Sequence, residues 1–303
     1  MSLSVLAYLA ADMRARGMAP GTIAAYSRIV RPLLDAHPDV EALDRLTVSE
    51  WVHAADTQSK RRHRYLAANA LCRALVEDGT LAQNPCDAIK MPIEPISPQP
   101  TLSDRDYLAL LGTCELRDVV GKRDKAILTV LASTGCRVTE LASMAAADVD
   151  LAERQILIRN PKRDRYGRAR QRYVFLDDEA TKALASWMRV RERVALGPGL
   201  WTHQNGRPFV SNGIQQMIKR RGERLGIVVS AHQFRRRLAT NWLLSGYSEA
   251  GLMAMGGWRS SIMPARYAAA GLTEIARADH ARLFGNRHLE GDGRLSDRLP
   301  GTP

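Results

Sequence analysis

The sequence predicts a mainly α protein with one small β-sheet, split into an N-terminal helical unit and a mixed α/β C-terminal domain. Three observations predict it. Apolar residues recur at helical spacing over most of the chain. Clear strand-like runs occur only at 155–159 and 172–176, with a shorter strand-turn near 200–209. Four prolines crowd residues 91–101, and 303 residues exceed one typical domain, so the chain divides there.

The first helix spans 1–16, where Leu3, Leu6, Ala7, Leu9, Ala10 and Met13 share a face. Gly17 closes it, and Pro20-Gly21-Thr22 opens the next, with Thr22 as N-cap. Ile23, Tyr26, Ile29 and Val30 line one side of that helix, and Arg28 and Arg31 fall elsewhere. Pro38 breaks the pattern and Leu46-Thr47-Val48-Ser49-Glu50 restarts it. Ser59-Lys60-Arg61-Arg62-His63-Arg64 then opens a helix running through Leu66, Leu71 and Leu75 to Gly79. The product is a four-helix unit over 1–90. Arg28, Arg31, Lys60, Arg61, Arg62 and Arg64 are its candidate phosphate contacts, because cations and backbone N–H groups meet an anion together at a helix entrance. A solvated helix face explains the same cluster equally well.

Residues 91–101 have no amphipathic period, and their prolines make an extended linker. A second domain follows over 102–284. It begins with Ser103-Asp104-Arg105-Asp106, a capping box with Asp in place of Glu. An apolar helix over 123–132 ends at Thr134-Gly135, and a new one starts near Arg137. Gly135 permits a backbone conformation that aims Arg137 into a cleft. Leu141 then anchors the turn while Glu140 orients the guanidinium. The two strands enclose residues 160–170, a hairpin loop rich in cations that includes Lys162, Arg163 and Arg165. Helices over 178–194 and 211–225 follow. His232 and Arg235, three apart, share a helix face. A helix over 273–284 is the last ordered element, and 285–303, rich in Gly, Asp, Arg and Pro, reads as a disordered tail.

Lys and Arg total 44 against 32 Asp and Glu, a charge of +12 that favours a polyanionic partner, nucleic acid before acidic membrane. Cys72, Cys86, Cys114 and Cys136 lack zinc-ligand spacing and read as reduced thiols of a cytosolic protein. The N-terminus has no basic region before its apolar run, and Asp12 interrupts that run, so it is not a signal peptide. No stretch approaches the roughly 18 apolar residues of a membrane span.

Arg137, then His232 and Arg235, then Gly256-Gly257-Trp258 and Tyr267 form an ordered set. Each piece alone is weak: His-x-x-Arg pairs are common in a basic chain, and most tyrosines are core or surface residues. Together they match attack on a phosphodiester by a tyrosine. Such a nucleophile needs its phenol deprotonated, the phosphorane charge stabilised and a proton delivered to the departing oxygen. Guanidiniums suit the second task through their planar forks. No Asp/Glu/His cluster with two-metal character lies near the arginines, so the set implies neither a metal nor another cofactor.

On these motifs the chain resembles the tyrosine recombinases, or phage-type integrases, over about residues 1–284. The resemblance implies a helical core-binding domain, a linker and an α/β catalytic domain acting on double-stranded DNA. It implies Arg137 and Arg235 as phosphate-binding arginines and Lys162 as the general acid. His232 assists proton removal, Trp258 stands where histidine is usual, and Tyr267 forms a 3′-phosphotyrosyl link. It further implies a homo-tetramer on two DNA sites, a Holliday junction, and in some cases an accessory excision factor. The lysine loop lacks the usual flanking glycines, Arg236 replaces a common histidine, and Gly-Gly-Trp stands for Leu-Gly-His. Because the chain opens directly on the helical unit, the expectation is a simple integrase of a phage or mobile element without a separate arm-binding domain. Two rivals stand: a type IB topoisomerase-like nicking-closing enzyme, and a DNA-binding protein without chemistry, which has no need of Tyr267.

Overall fold

Ordinary capping and burial rules build the N-terminal unit of the computed structural model, which describes residues 2–93, 101–163, 169–258, 260 and 272–284. The chain divides into Met1–Ser97 and Pro98–Pro303. Among its described residues the first unit holds α1 (Ser2–Ala15), α2 (Pro20–Ala36), α3 (Arg45–His53) and α4 (Gln58–Glu77). Pro20 takes the first turn of α2, where a missing N–H costs nothing. The N-cap is therefore Ala19, and Thr22 lies inside the helix instead of capping it. Asp44 accepts the Thr47 N–H at 2.8 Å to cap α3, and Thr57 accepts the Lys60 N–H at 3.2 Å to cap α4. Leu9, Met13, Val30, Leu33, Val48, Val52, Leu71 and Leu75 form the core. Truncating any one of its leucines to Ala costs about 2–5 kcal/mol.

The second unit contains α5 (Asp104–Gly112), α6 (Val119–Thr134) and α7 (Val138–Ala142). Next come β1 (Val149–Asp150), β2 (Gln155–Arg163) and β3 (Ala169–Phe175), an antiparallel sheet in that order. Then follow α8 (Asp178–Val194), α9 (Ser211–Glu223), α10 (Ala231–Leu244), α11 (Glu249–Gly256) and α12 (Leu272–Phe284). Ser103 caps α5, accepting the Asp106 N–H at 3.0 Å. α6 begins four residues earlier than its apolar run suggests, because Asp118 caps it at the Gly121 N–H.

The sheet corrects one expectation. The pairing of β2 with β3 passes a register shift between Asn160 and Arg163 and resumes at Arg163↔Ala169. Pro161 has no N–H for the ladder, which accounts for an irregularity at that place. Lys162 and Arg163 therefore belong to the end of β2 and not to a loop; their side chains, and Arg165 as a whole, lie outside the described residues. β1, which pairs Val149 with Ile156, is too short to show in the sequence.

α6 packs against α8 and α10, and Trp187, Trp201 and Phe234 are fully buried in the same core. The Trp187 indole donates to the Leu200 carbonyl at 2.9 Å, and that of Trp201 to Leu141 O at 2.8 Å. The segment after α8 thus clamps the C-terminal end of α7. Below it, Asp124 accepts hydrogen bonds from both Arg123 and Arg221, joining α6 to α9 in a buried ion triad. All four cysteines are buried free thiols. Among the described residues no helix is long and apolar enough to cross a membrane.

Candidate active site

Gly135 begins the site. It ends α6 with φ +57°, the left-handed region that favours glycine, and a Cβ there would sit 2.7 Å from Leu238 Cδ2 on α10. The chain reverses through Cys136, so Arg137 becomes the N-cap of α7. The Arg137 N–H donates to Glu140 Oε2 at 2.9 Å, and its Nη1 to Oε1 at 3.0 Å. The Arg137 side chain is 45% exposed and the Glu140 side chain 5%, so a buried carboxylate holds a guanidinium that opens to solvent.

Arg172 of β3 braces the same carboxylate. Its Nη1 donates to Glu140 Oε1 at 3.0 Å and its Nη2 to Oε2 at 2.8 Å, a bidentate pair. Burial alone pushes the Glu140 carboxyl up. The Arg172 hydrogen bond, the Arg137 N–H and the two positive charges outweigh it and hold the group below its usual value. Glu140 is therefore an anion at neutral pH. Arg172 Nε also donates to Met255 O at 2.8 Å, reaching the end of α11.

Arg235 closes the arrangement from α10. Its Nη1 donates to Gly135 O and its Nη2 to Gly256 O, each at 2.7 Å, and the residue is 2% exposed. The Trp258 ring lies 3.8 Å from the guanidinium carbon, a cation–π contact. Gly256 is required here, since a Cβ would lie 2.1 Å from the Trp258 ring, and Gly257 caps α11 with φ +64°. One guanidinium thus fixes the turn before Arg137 and the turn before Trp258.

His232, one turn before Arg235, is exposed at the surface of α10. Desolvation by its surroundings, then the charges of Arg236, Arg235 and Arg137, lower its pKa below the ordinary imidazole value. The ring is neutral at pH 7 and can accept a proton. Cys136 is no rival nucleophile, because burial pushes its thiol up to about 11.

The structure therefore brings Arg137, Glu140, His232, Arg235 and Trp258 together. Tyr267 and the Lys162 side chain lie outside the described residues. Sequence reasoning missed Arg172. Its signal was parity: with Val174 and Leu176, both buried, it occupies the core-facing side of an alternating strand.

In the N-terminal unit the predicted DNA contacts divide in two. Arg28 and Arg31 are exposed on α2, and Lys60 is exposed and paired with Asp56 at 2.9 Å. Arg61, Arg62 and Arg64 instead donate to the carbonyls of Ala55 (2.9 Å), Pro92 (3.3 Å) and Trp51 (2.6 Å), and Arg64 also stacks on the Trp51 ring.

Comparison with known proteins bears on this geometry. A family model described as the phage integrase family matches residues 100–272. Tyrosine recombinase XerC of Chlamydia trachomatis (serovar L2, strain 434/Bu) is 25% identical over 67% of this chain and 64% of its own. The matched stretch thus spans just under two thirds of that relative. XerC of Xylella fastidiosa (strain 9a5c) is 28% identical over 76% of this chain and 79% of its own. The Tn1549 transposon integrase, solved with transposon right end DNA, shares the fold. Its TM-score is 0.70 at 19% identity, over 92% of this chain and 99% of that one.

Proposed function

The chain belongs to the phage integrase family, and on that premise we propose that it is a site-specific DNA recombinase working through a 3′-phosphotyrosyl intermediate. The observation that carries this reading is the bonding of Arg235 to both Gly135 O and Gly256 O, which gathers Arg137, His232 and Trp258 around one place.

In this reading the Tyr267 phenol attacks the phosphorus as neutral His232 takes up its proton. Arg137 and Arg235 hold the non-bridging oxygens, whose negative charge grows in the phosphorane. Loss of one such preorganised donor typically slows catalysis by about 10²–10³-fold. Trp258 keeps the Arg235 plane in place, and Lys162 protonates the departing 5′-oxygen. The bond to phosphorus is exchanged and not hydrolysed. A 5′-hydroxyl of another strand therefore reverses the attack and releases Tyr267, with no input of ATP.

Residues 1–90 act as the core-binding domain and 102–284 as the catalytic domain, joined by the 91–101 linker. Four protomers on two DNA sites exchange strands through a Holliday junction. The setting is a phage or mobile element in the cytoplasm of its host.

Nicked suicide duplexes tiled from the DNA flanking the gene test this, with wild type and Tyr267→Phe compared in EDTA on a denaturing gel. A DNA-linked band with wild type alone is the expected result. Retarded DNA without any covalent band would sink the chemistry and leave a binding protein. A band that persists in Tyr267→Phe would move the nucleophile elsewhere, and relaxation of plasmids lacking a defined site would favour a topoisomerase.

A further inference from the structure

We propose that Arg172 is a positioning residue for DNA cleavage, holding the Arg137 turn and the Gly256-Gly257-Trp258 turn in one register. The proposal rests on the recombinase reading above.

Each oxygen of Glu140 is shared between the same two partners. Oε1 accepts from Arg172 Nη1 and Arg137 Nη1, both at 3.0 Å; Oε2 accepts from Arg172 Nη2 at 2.8 Å and the Arg137 N–H at 2.9 Å. The carboxylate plane is set by the Arg172 fork, and the carboxylate in turn sets Arg137. The third face of that fork sets the other turn: Nε donates to Met255 O at 2.8 Å, and a Cβ on Gly257 would lie 3.0 Å from the Arg172 Cζ. Trp258 follows directly and stacks under Arg235. Arg172 thus ties α7 to α11 from the sheet, while Arg235 ties the neighbouring turns from α10.

Packing alone does not call for this residue. Arg172 lies on the strand face of buried Val174, where an aliphatic side chain avoids the desolvation of a charge. The guanidinium answers a geometric need, two parallel bonds to one carboxylate and a third in another direction, which the single ammonium of lysine does not meet. Arg172 bonds Glu140 through both Nη atoms and Met255 O through Nε, and it acts through Arg137 and Trp258.

The test compares wild type, Arg172→Lys, Arg172→Gln and the double variant Glu140→Gln/Arg172→Gln. Readouts are Tm, duplex Kd and the rate of covalent adduct at saturating suicide duplex. Misplacement of reacting groups by about 1 Å costs on the order of 10²-fold. Arg172→Lys is therefore expected to lose at least ~10-fold in adduct rate while its duplex Kd stays within ~3-fold. Arg172→Gln takes two of four hydrogen bonds from a buried carboxylate and lowers Tm; the double variant removes that charge, so Tm recovers while the adduct rate stays low. Recovery of rate together with Tm would make Arg172 merely structural and overturn the proposal. A folded Arg172→Lys that cleaves like wild type would do the same, whether or not the double variant folds. Absence of an adduct from wild type itself would instead overturn the recombinase reading beneath it.

Discussion

His232 shows how a single residue's chemistry is set by its neighbours. Its ring is partly desolvated although the residue stays exposed, and the charges of Arg236, Arg235 and Arg137 further disfavour the imidazolium. Proton titration followed by NMR in the DNA-free protein should give His232 a midpoint below 6.5, and Arg236→Gln should raise it. A wild-type midpoint at or above 6.5 would show that neither desolvation nor the arginine charges govern the ring. The linkage sign follows: with the folded pKa depressed, the fold binds fewer protons than the unfolded chain, so His232 withdraws stability as pH falls through the unfolded value near 6.5. Gly135 makes a second case. With φ +57° and Leu238 2.7 Å from any added Cβ, Gly135→Ala meets both backbone strain and a clash. The expected loss is about 1–3 kcal/mol in urea denaturation. Cleavage should fall further than stability alone explains, because the Gly135 carbonyl holds Arg235. Equal stability in the two proteins would show that the turn relaxes.

At the scale of elements, the buried triad of Arg123, Asp124 and Arg221 decides how α6 meets α9. Asp124 is 2% exposed and serves both arginines, and Arg221 continues to Thr113 O at 2.6 Å. Asp124→Asn leaves two buried cations without their anion, at a cost of about 3–5 kcal/mol read from thermal or urea unfolding. Glu179→Gln is the contrast. Its 3.4 Å pair with Lys125 is partly solvated and is worth less than about 1 kcal/mol. If the two variants unfolded alike, the triad would not be structural. The triad also marks what the sequence could show. α8 runs over Asp178–Val194 as predicted, because its start is a local Asp177 cap and its apolar face repeats at helical spacing. The Gly135 turn and the Arg137 start of α7 were legible for the same reason. Arg221 meets Thr113 across 108 positions, and Arg172 meets Met255 across 83. No local pattern carries such pairings. The carbonyls that Arg61, Arg62 and Arg64 reach likewise lie in other segments of the unit, so the sequence, which offers these arginines as phosphate contacts, does not show the bonds they make.

For the molecule as a whole, the division into two units and the charge of +12 combine in how DNA binding depends on salt. A protein that neutralises Z phosphates loses affinity with a log–log slope near −0.9Z, because it releases condensed counterions. Within the N-terminal unit, Arg28 and Arg31 stand exposed on α2, three positions apart and so on neighbouring parts of one helix surface. Arg61 is only half exposed and binds Ala55 O at 2.9 Å. The two kinds of arginine should separate in a pair of measurements on the intact chain. Arg28→Gln/Arg31→Gln should lower the salt slope of duplex binding by roughly two units, about one per phosphate contact, and leave Tm unchanged. Arg61→Gln should lower Tm, since it strips a bond from the turn between α3 and α4, and change the slope by less than about one unit. Fluorescence anisotropy across a salt series supplies the slopes. The reverse pattern, with Arg61 carrying the slope and α2 indifferent to it, would place the DNA at the entrance of α4, with the Ala55 bond exchanged for phosphate on binding.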